Sequence, residues 1–457
     1  MGMRLDKSFT FAFVAALGLS LSACGGKTPP KVPEGTKVDT PATGGPGAVY
    51  GPGGQQYAVT DAPSSGEAAT NRPKMNATAA QAYAAGMAAF QSGDLQGAKQ
   101  QFTQATQADD KAYQAFYSLG VVKERLNEIS GALSSYTKAV AIVPDYEPAI
   151  VGYAELLART GKESEAESYL NGKLAKMPKS AAVPAAMAEV KSIQGDSGEA
   201  QKYARDALKK NPDYRPAMVT IARDHYRRRR LDLALYTLQA ILDGFGTENP
   251  ARDATNAQAL LLRGLIYKEQ GNRAGAMKDF QQAVSIRPDL VEARVQLAGY
   301  QLEAGNATEA AKLLEEAVKY DKDNVIARLN LGDAYRLLGK AGDAKKELEW
   351  VASKDPNLAE VHYDLGLLYL FSENIPGVTP ADAVDKAISE LEKYKKMKPH
   401  GKAGEKDDTD ELITRAKTKK AILASKAQEK AAAKPAASGG SSGGSTGSMP
   451  PADGGKK

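Results

Sequence analysis

Small residues recur along the chain at a fixed spacing of 34, at Gly86, Gly120, Ala154, Ala188 and Ala222. In step with them run Ala98, Ala132, Ala166, Ala200 and Ala234, then Phe102, Tyr136, Leu170, Ala204 and Leu238, with Pro144, Pro178 and Pro212 further on. A period of this length is the span of one supersecondary unit that cannot bury its apolar face alone, so the chain is constrained to stack such units on one another. Proline beyond each third position ends a helix and re-aims the chain. The phase breaks at 243–255, DGFGTENPARDAT, where about eight residues are inserted. It then resumes with Gly264, Ala298, Gly332 and Gly366, with Ala276, Ala310 and Ala344, and with Phe280, Leu314 and Leu348, while Pro288 and Pro356 close two units. The last unit carries Leu365, Gly366 and Tyr369, about nine inserted residues around SENIPGVTP, and then Ala387, Leu391 and Pro399. Nine units fit between 79 and 401.

The best-formed units read Phe116-Tyr-Ser-Leu119-Gly120 with Ala132, Tyr136, Ala139 and Pro144, and Leu261-Leu-Arg-Gly264-Leu-Ile-Tyr267 with Ala276, Phe280, Ala283 and Pro288. This pattern resembles the tetratricopeptide repeat. The resemblance implies an all-α superhelical solenoid of about nine helix-turn-helix units, with repeats 1–5 in 79–246, an inserted linker at 247–256 and repeats 6–9 in 257–401. The fourth unit departs from the pattern, with Pro184 at a bulky position. Near a helix start that proline is tolerated, because its missing N–H would be unsatisfied there anyway.

Aromatic residues make up only 7% of the chain, with Trp350 the single tryptophan, a mix suited to closely packed helices. Lys and Arg number 60 against 55 Asp and Glu, and a net charge of +5 spread evenly does not point to a nucleic-acid partner. Beyond the repeats, 402–434 reads as one capping helix with Leu412, Ile413, Ala416, Ile422 and Leu423 on a narrow stripe. Acids open it and lysines close it, as the helix dipole favours. The end, 435–457, is Gly/Ser-rich and expected to be a flexible, disordered tail.

At the other end, Arg4 and Lys7 precede an apolar run over 9–21, shorter than the roughly 20 residues that cross a bilayer. Residues 1–23 therefore read as a secretory signal peptide. Leu21, Ser22, Ala23 and Cys24 resemble the lipobox of bacterial lipoproteins, which implies lipidation of Cys24 as the mature N-terminus. Sulfur is the nucleophile that takes the diacylglycerol, and no second cysteine exists to pair with it. Each buried acyl CH₂ adds about 0.8 kcal/mol of membrane attachment. By resemblance to Gram-negative sorting, Gly25 implies release to the outer membrane, facing the periplasm. Between 25 and 76, Pro and Gly fill 18 of 52 positions, so 24–76 is expected to be a disordered tether spanning on the order of 40 Å. Its GGPGAVYGPGG stretch lacks the preceding strand and following helix of a dinucleotide fingerprint.

Catalytic chemistry is poorly supplied. The histidines are His225, His362 and His400, none in HExxH and none with a cysteine partner, and no GxxxxGK[ST] occurs. Packing accounts for His362 at a bulky signature position. Carboxylates such as Glu163, Glu165, Glu167, Asp407, Asp408 and Asp410 have the spacing of solvated helices and loops. No catalytic residue, cofactor, metal or small-molecule substrate is expected. The run Arg223-Asp-His-Tyr226-Arg227-Arg228-Arg229-Arg230 could meet an acidic peptide or lipid headgroups. Four consecutive helical residues point four ways, so at most about half can line one surface, leaving the rest to solvent or to pairs between repeats.

The family resemblance implies a partner-binding groove on the first helices, at positions that here hold Tyr83, Met87, Tyr117, Glu124, Arg125, Arg223, Tyr226, Arg227, Arg336, Tyr363 and Phe371. A carboxylate clamp of Lys and Asn is not recognisable, since Asn330 stands alone. With lipobox, tether, repeats and tail together, the chain resembles the tetratricopeptide-repeat outer-membrane lipoproteins of myxobacteria that serve adventurous gliding motility. That implies a scaffold docking proteins of an envelope-spanning complex. Two readings stay open beside it: a pilotin-like assembly factor for a type IV pilus or secretion-system secretin, and a regulator of cell-wall enzymes.

Overall fold

The computed structural model describes residues 48–50, 56–58, 72–398 and 408–432. The segments expected to be a signal peptide (1–23) and a lipobox with Cys24, together with His400 and the expected tail at 435–457, lie outside the described residues.

Nine antiparallel helix pairs follow one another. They are α1 (Ala77–Gln91) with α2 (Leu95–Ala108), α3 (Tyr113–Arg125) with α4 (Ile129–Ile142), α5 (Glu147–Arg159) with α6 (Glu163–Lys176), and α7 (Ala182–Gln194) with α8 (Ser197–Lys210). Next come α9 (Arg215–Arg227) with α10 (Leu231–Leu242), α11 (Ala257–Glu269) with α12 (Arg273–Ile286), α13 (Val291–Glu303) with α14 (Ala307–Tyr320), α15 (Val325–Leu337) with α16 (Ala341–Lys354), and α17 (Ala359–Phe371) with α18 (Pro380–Met397). A last helix, α19 (Thr409–Ala432), closes the described chain. Pro184 sits buried in the first turn of α7, where a proline is tolerated.

The 34-residue register has a direct steric cause. A Cβ placed on Gly120 would lie 2.6 Å from the Tyr136 ring, and one on Gly264 would lie 2.6 Å from Phe280. Both rings are fully buried. Glycine stands where the second helix of the same repeat presses a side chain onto the first, an aromatic ring at Gly120 and Gly264 and a leucine at Gly332 and Gly366, where a Cβ would lie 2.6 Å from Leu348 and Leu391; alanine stands at 154, 222 and 298. The turn inside each repeat needs a left-handed residue. Gly93, Gly161, Gly195, Gly271, Gly305 and Gly339 fill it, but Asn127 (φ 57°) and Arg229 (φ 59°) fill it in two repeats.

Two compact units result. The first runs to Lys354 and holds the first eight pairs; the second starts at Asp355 and holds α17, α18 and α19. The sequence places a linker at 247–256, but the structure does not divide there. One continuous core joins Met218, Leu238 and Ile241 before the insertion to Ala257, Leu260 and Phe280 after it. The inserted loop is pinned as well: the Asp253 N–H donates to the Ile241 carbonyl at 2.8 Å, and the Phe245 N–H to the Asn249 carbonyl at 2.7 Å. In the second unit, Leu412, Ile413 and Ala416 of α19 are buried, whereas Ile422 is 49% exposed, so only the first half of the expected stripe packs.

Within the segment expected to lack regular structure, β1 (Ala48–Tyr50) and β2 (Gln56–Ala58) pair antiparallel with Val49 opposite Tyr57. Val49, Tyr50 and Tyr57 favour extended backbone, and the Gly-Pro-Gly-Gly between the strands favours chain reversal. Uniform disorder across 24–76 therefore does not hold at these positions.

Candidate functional site

First helices of successive repeats pack directly against one another, as α5 does on α7 and α7 on α9, while each second helix packs mainly within its own pair and onto the next first helix. Inside the first unit the first helices therefore form the inner wall of the stack. Two registers of that wall carry charge, Glu155, Glu189 and Arg223 at 34-residue steps and Arg125, Arg159 and Arg227 at multiples of the same step.

These charges interlock from repeat to repeat. Arg223 donates to Glu189 at 2.5 Å, Thr220 donates to the same carboxylate at 3.0 Å, and Arg227 reaches Ser192. Burial alone would raise the Glu189 pKa, but Arg223, Arg227 and the Thr220 hydroxyl more than offset it and lower it. Arg159 pairs with Glu124, which also accepts from the Tyr136 hydroxyl at 2.7 Å. Glu155, on the turn beside Arg159, is pushed up to about 7, chiefly by burial, with Arg159 opposing and Glu189 and Glu124 adding to the rise. Such a wall is a set of fixed, alternating charges that can read the charge pattern of a segment laid along it.

The expected groove residues divide. Tyr117 is wholly buried, ringed by Tyr136 at 5.9 Å and Tyr146 at 5.6 Å between centroids, and offers no surface to a partner. Tyr83 and Met87 are likewise buried. Tyr363, in the second unit, is covered: its ring lies 5.1 Å from Tyr394 and its hydroxyl donates to Asp408 at 2.9 Å. These tyrosines share one register with Val151, Ala185, Val219, Leu261, Val295 and Leu329, all buried, and that register faces the neighbouring repeat. Their assignment to the groove is corrected on that ground. Glu124, Arg223, Tyr226, Arg227 and Arg336 do sit on first helices with part of their surface open, and Phe371 is 42% exposed with Arg415 over its ring at 4.7 Å. Tyr226 donates to Glu269 at 2.6 Å, and Arg336 to Asp333 at 2.6 Å. Arg125 is almost entirely enclosed, paired with Asp289 at 3.3 Å and stacked over Phe90 at 4.4 Å.

The arginine run is not the single helix that its reading by helical spacing expects: α9 ends at Arg227, and Arg228, Arg229 and Arg230 form the turn into α10. Arg223, Arg227 and Arg229 are taken by Glu189, Ser192 and Glu269, and Arg228 and Arg230 face solvent. His362 is buried, with Nδ1 at 2.6 Å from Glu390 and Nε2 at 3.2 Å from the Pro356 carbonyl oxygen, a packed and paired residue as the sequence suggested. Burial lowers the pKa of His225. Among the described residues no group of three metal-ligating side chains is assembled, and no helix is long and apolar enough to cross a membrane.

Family models described as tetratricopeptide repeat match residues 124–190 and 301–367, 83–147 and 186–250, and 257–290. Comparison with curated proteins finds no match. Among solved structures the chain is similar to the Cut9–Hcn1 hetero-tetramer of the APC/C, at 17% identity over 74% of this chain and 76% of that one, with a TM-score of 0.48. It is also similar to PilW, a widely conserved type IV pilus biogenesis factor, at 22% identity over 49% of this chain and 99% of that one, with a TM-score of 0.34.

Proposed function

Starting from a chain that carries tetratricopeptide repeats and is thereby a scaffold for protein–protein contacts, we propose a lipid-anchored docking protein of the Gram-negative outer membrane that assembles a periplasm-facing machine. The machine we favour is a gliding-motility apparatus. The observation that carries the anchor is the sequence Leu21-Ser22-Ala23-Cys24 at the end of a short apolar run. The observation that favours docking is the inner wall, where fixed charges on α5, α7 and α9 stand in register across repeats. Binding by such a wall needs no bond making, only complementarity along an extended segment or a helix. Cys24 holds the chain at the membrane, and the stretch before Asn76 sets how far the repeats stand from it.

Cross-linking in living cells, isolation from outer membranes and mass spectrometry test this reading, with Cys24→Ala as control. Motility proteins captured with the native chain and lost with the variant are the expected result. Capture of secretin components or of cell-wall synthases instead would overturn the choice of machine, and recovery of the same partners with Cys24→Ala would overturn the need for the anchor.

A further inference from the structure

Within the first unit, repeat 2 touches repeats 6 and 7. Arg125, at the end of α3, meets Asp289, in the loop before α13, at 3.3 Å across 164 positions of sequence. Two residues on, Asn127 donates from Nδ2 to Asp321, just past α14, at 2.8 Å across 194 positions. Tyr320, next to Asp321, packs against the core cluster of the first three repeats. First helices touch one another from α3 through α5, α7 and α9 to α11, and these contacts tie repeat 2 to the repeats at the far end of that run.

The seam is not built like a strut. Arg125, Arg287 and Asp289 have side chains only 10%, 12% and 5% exposed, so two positive charges and one negative are buried together. The Nε of Arg125 and the Nε and Nη1 of Arg287 are buried with no acceptor among the described residues. A buried net charge with unmet donors gives little stability for the geometry it fixes, which suits a contact that opens and closes. The turn residue belongs to the same seam. Six of eight repeats in this unit place glycine at the left-handed position; repeat 2 has Asn127 there, a residue that tolerates it, and its side chain makes the long-range bond. Glu292 on α13 is open to water, yet surrounding protein raises its carboxyl pKa against the pull of Arg223 across the wall. Glu155 is raised in the same way. These groups are wet but walled in.

We infer that Arg125–Asp289 and Asn127–Asp321 form a latch that closes the inner wall of the first eight repeats, so that a folded partner reaches that wall only when the latch opens. This inference rests on the reading of the inner wall as the docking surface, but its test needs no partner. The full chain carrying Cys24→Ala, Asn127→Cys and Asp321→Cys should give an intramolecular cross-link with a short bis-maleimide, and adding Asp289→Ala should weaken it. In a second chain, Cys24→Ala with Glu155→Cys places one thiol on the wall. A small maleimide should label it readily, and a polymer-bearing maleimide at least about tenfold more slowly, as for a site exposed only in a minor open state. Asn127→Gly, which suits the left-handed turn and so leaves the repeat folded, should restore labelling by the large reagent. Equal labelling by both reagents before the latch is cut, or absence of the cross-link, would overturn the latch. A latch that behaves as expected, beside partners that never touch the wall, would leave it standing and remove the docking reading alone.

Discussion

At the scale of single residues, each repeat is decided by what one side chain permits another to do. Gly120 has no room for a side chain beside Tyr136, so Gly120→Leu should lower stability by about 1–3 kcal/mol in urea unfolding. An unchanged midpoint would contradict the register. Glu155 gives a second test, through pH. Its folded pKa, about 7, lies above the ordinary carboxyl value, so between those values the folded chain holds a proton that the unfolded chain has released, and stability falls as pH rises through that window. Glu155→Gln should remove that slope and raise stability at pH 8 by on the order of 1 kcal/mol, since the carboxyl is partly open to water and its burial is screened. Thermal melts at pH 5 and pH 8 read this directly. The small-residue positions were legible in the sequence because each acts within its own repeat. The buried tyrosines were misassigned because Tyr117 and Tyr363 look like interface anchors one at a time, and only the row of aliphatic residues in their register, Val151 through Leu329, identifies them as core.

At the scale of elements, helices are fixed by caps and by the neighbour that covers them. Asn256 caps α11 by accepting from the Ala259 N–H at 3.0 Å, immediately after the inserted loop, which is how the pattern regains phase there. Composition made 247–256 read as a linker. The backbone bond from Asp253 to Ile241, which no residue pattern announces, makes it part of the core instead. In the second unit, α19 is held by Leu412, Ile413 and Ala416 and by the Tyr363 hydroxyl on Asp408. Tyr363→Phe should therefore cost about 1 kcal/mol and speed amide exchange in the first turns of α19 more than in α17. Equal exchange in wild type and variant would show that the bond does not hold the helix.

At the scale of the whole molecule, the repeat count could be read from the period, and the helical build of the repeats from the family resemblance that the period carries, because repeats interact chiefly with their neighbours. The latch could not. It depends on the cumulative turn of several repeats bringing Arg125 to Asp289, and no local pattern encodes that sum. Burial alone would raise the Asp289 pKa, but Arg125 and Arg287 overcome it and hold it at about 2, so the contribution of the pair is complete above the unfolded carboxyl value and is lost only as pH falls toward about 2. Asp289→Ala should cost only about 1–2 kcal/mol at neutral pH, because the latch can open and let the arginines it leaves unpaired reach water. The same loss at pH 2 as at pH 7 would contradict the pairing.

The claim that the first-helix wall is where this scaffold docks its partners is tested most directly by photo-cross-linking in living cells. A photoreactive residue at Arg336, on the first helix α15, is compared with one at Lys312, exposed on the second helix α14. Adducts with one or a few envelope proteins from position 336 and none from position 312 are the predicted result. Adducts from 312 alone, or the same adducts from both, would contradict it.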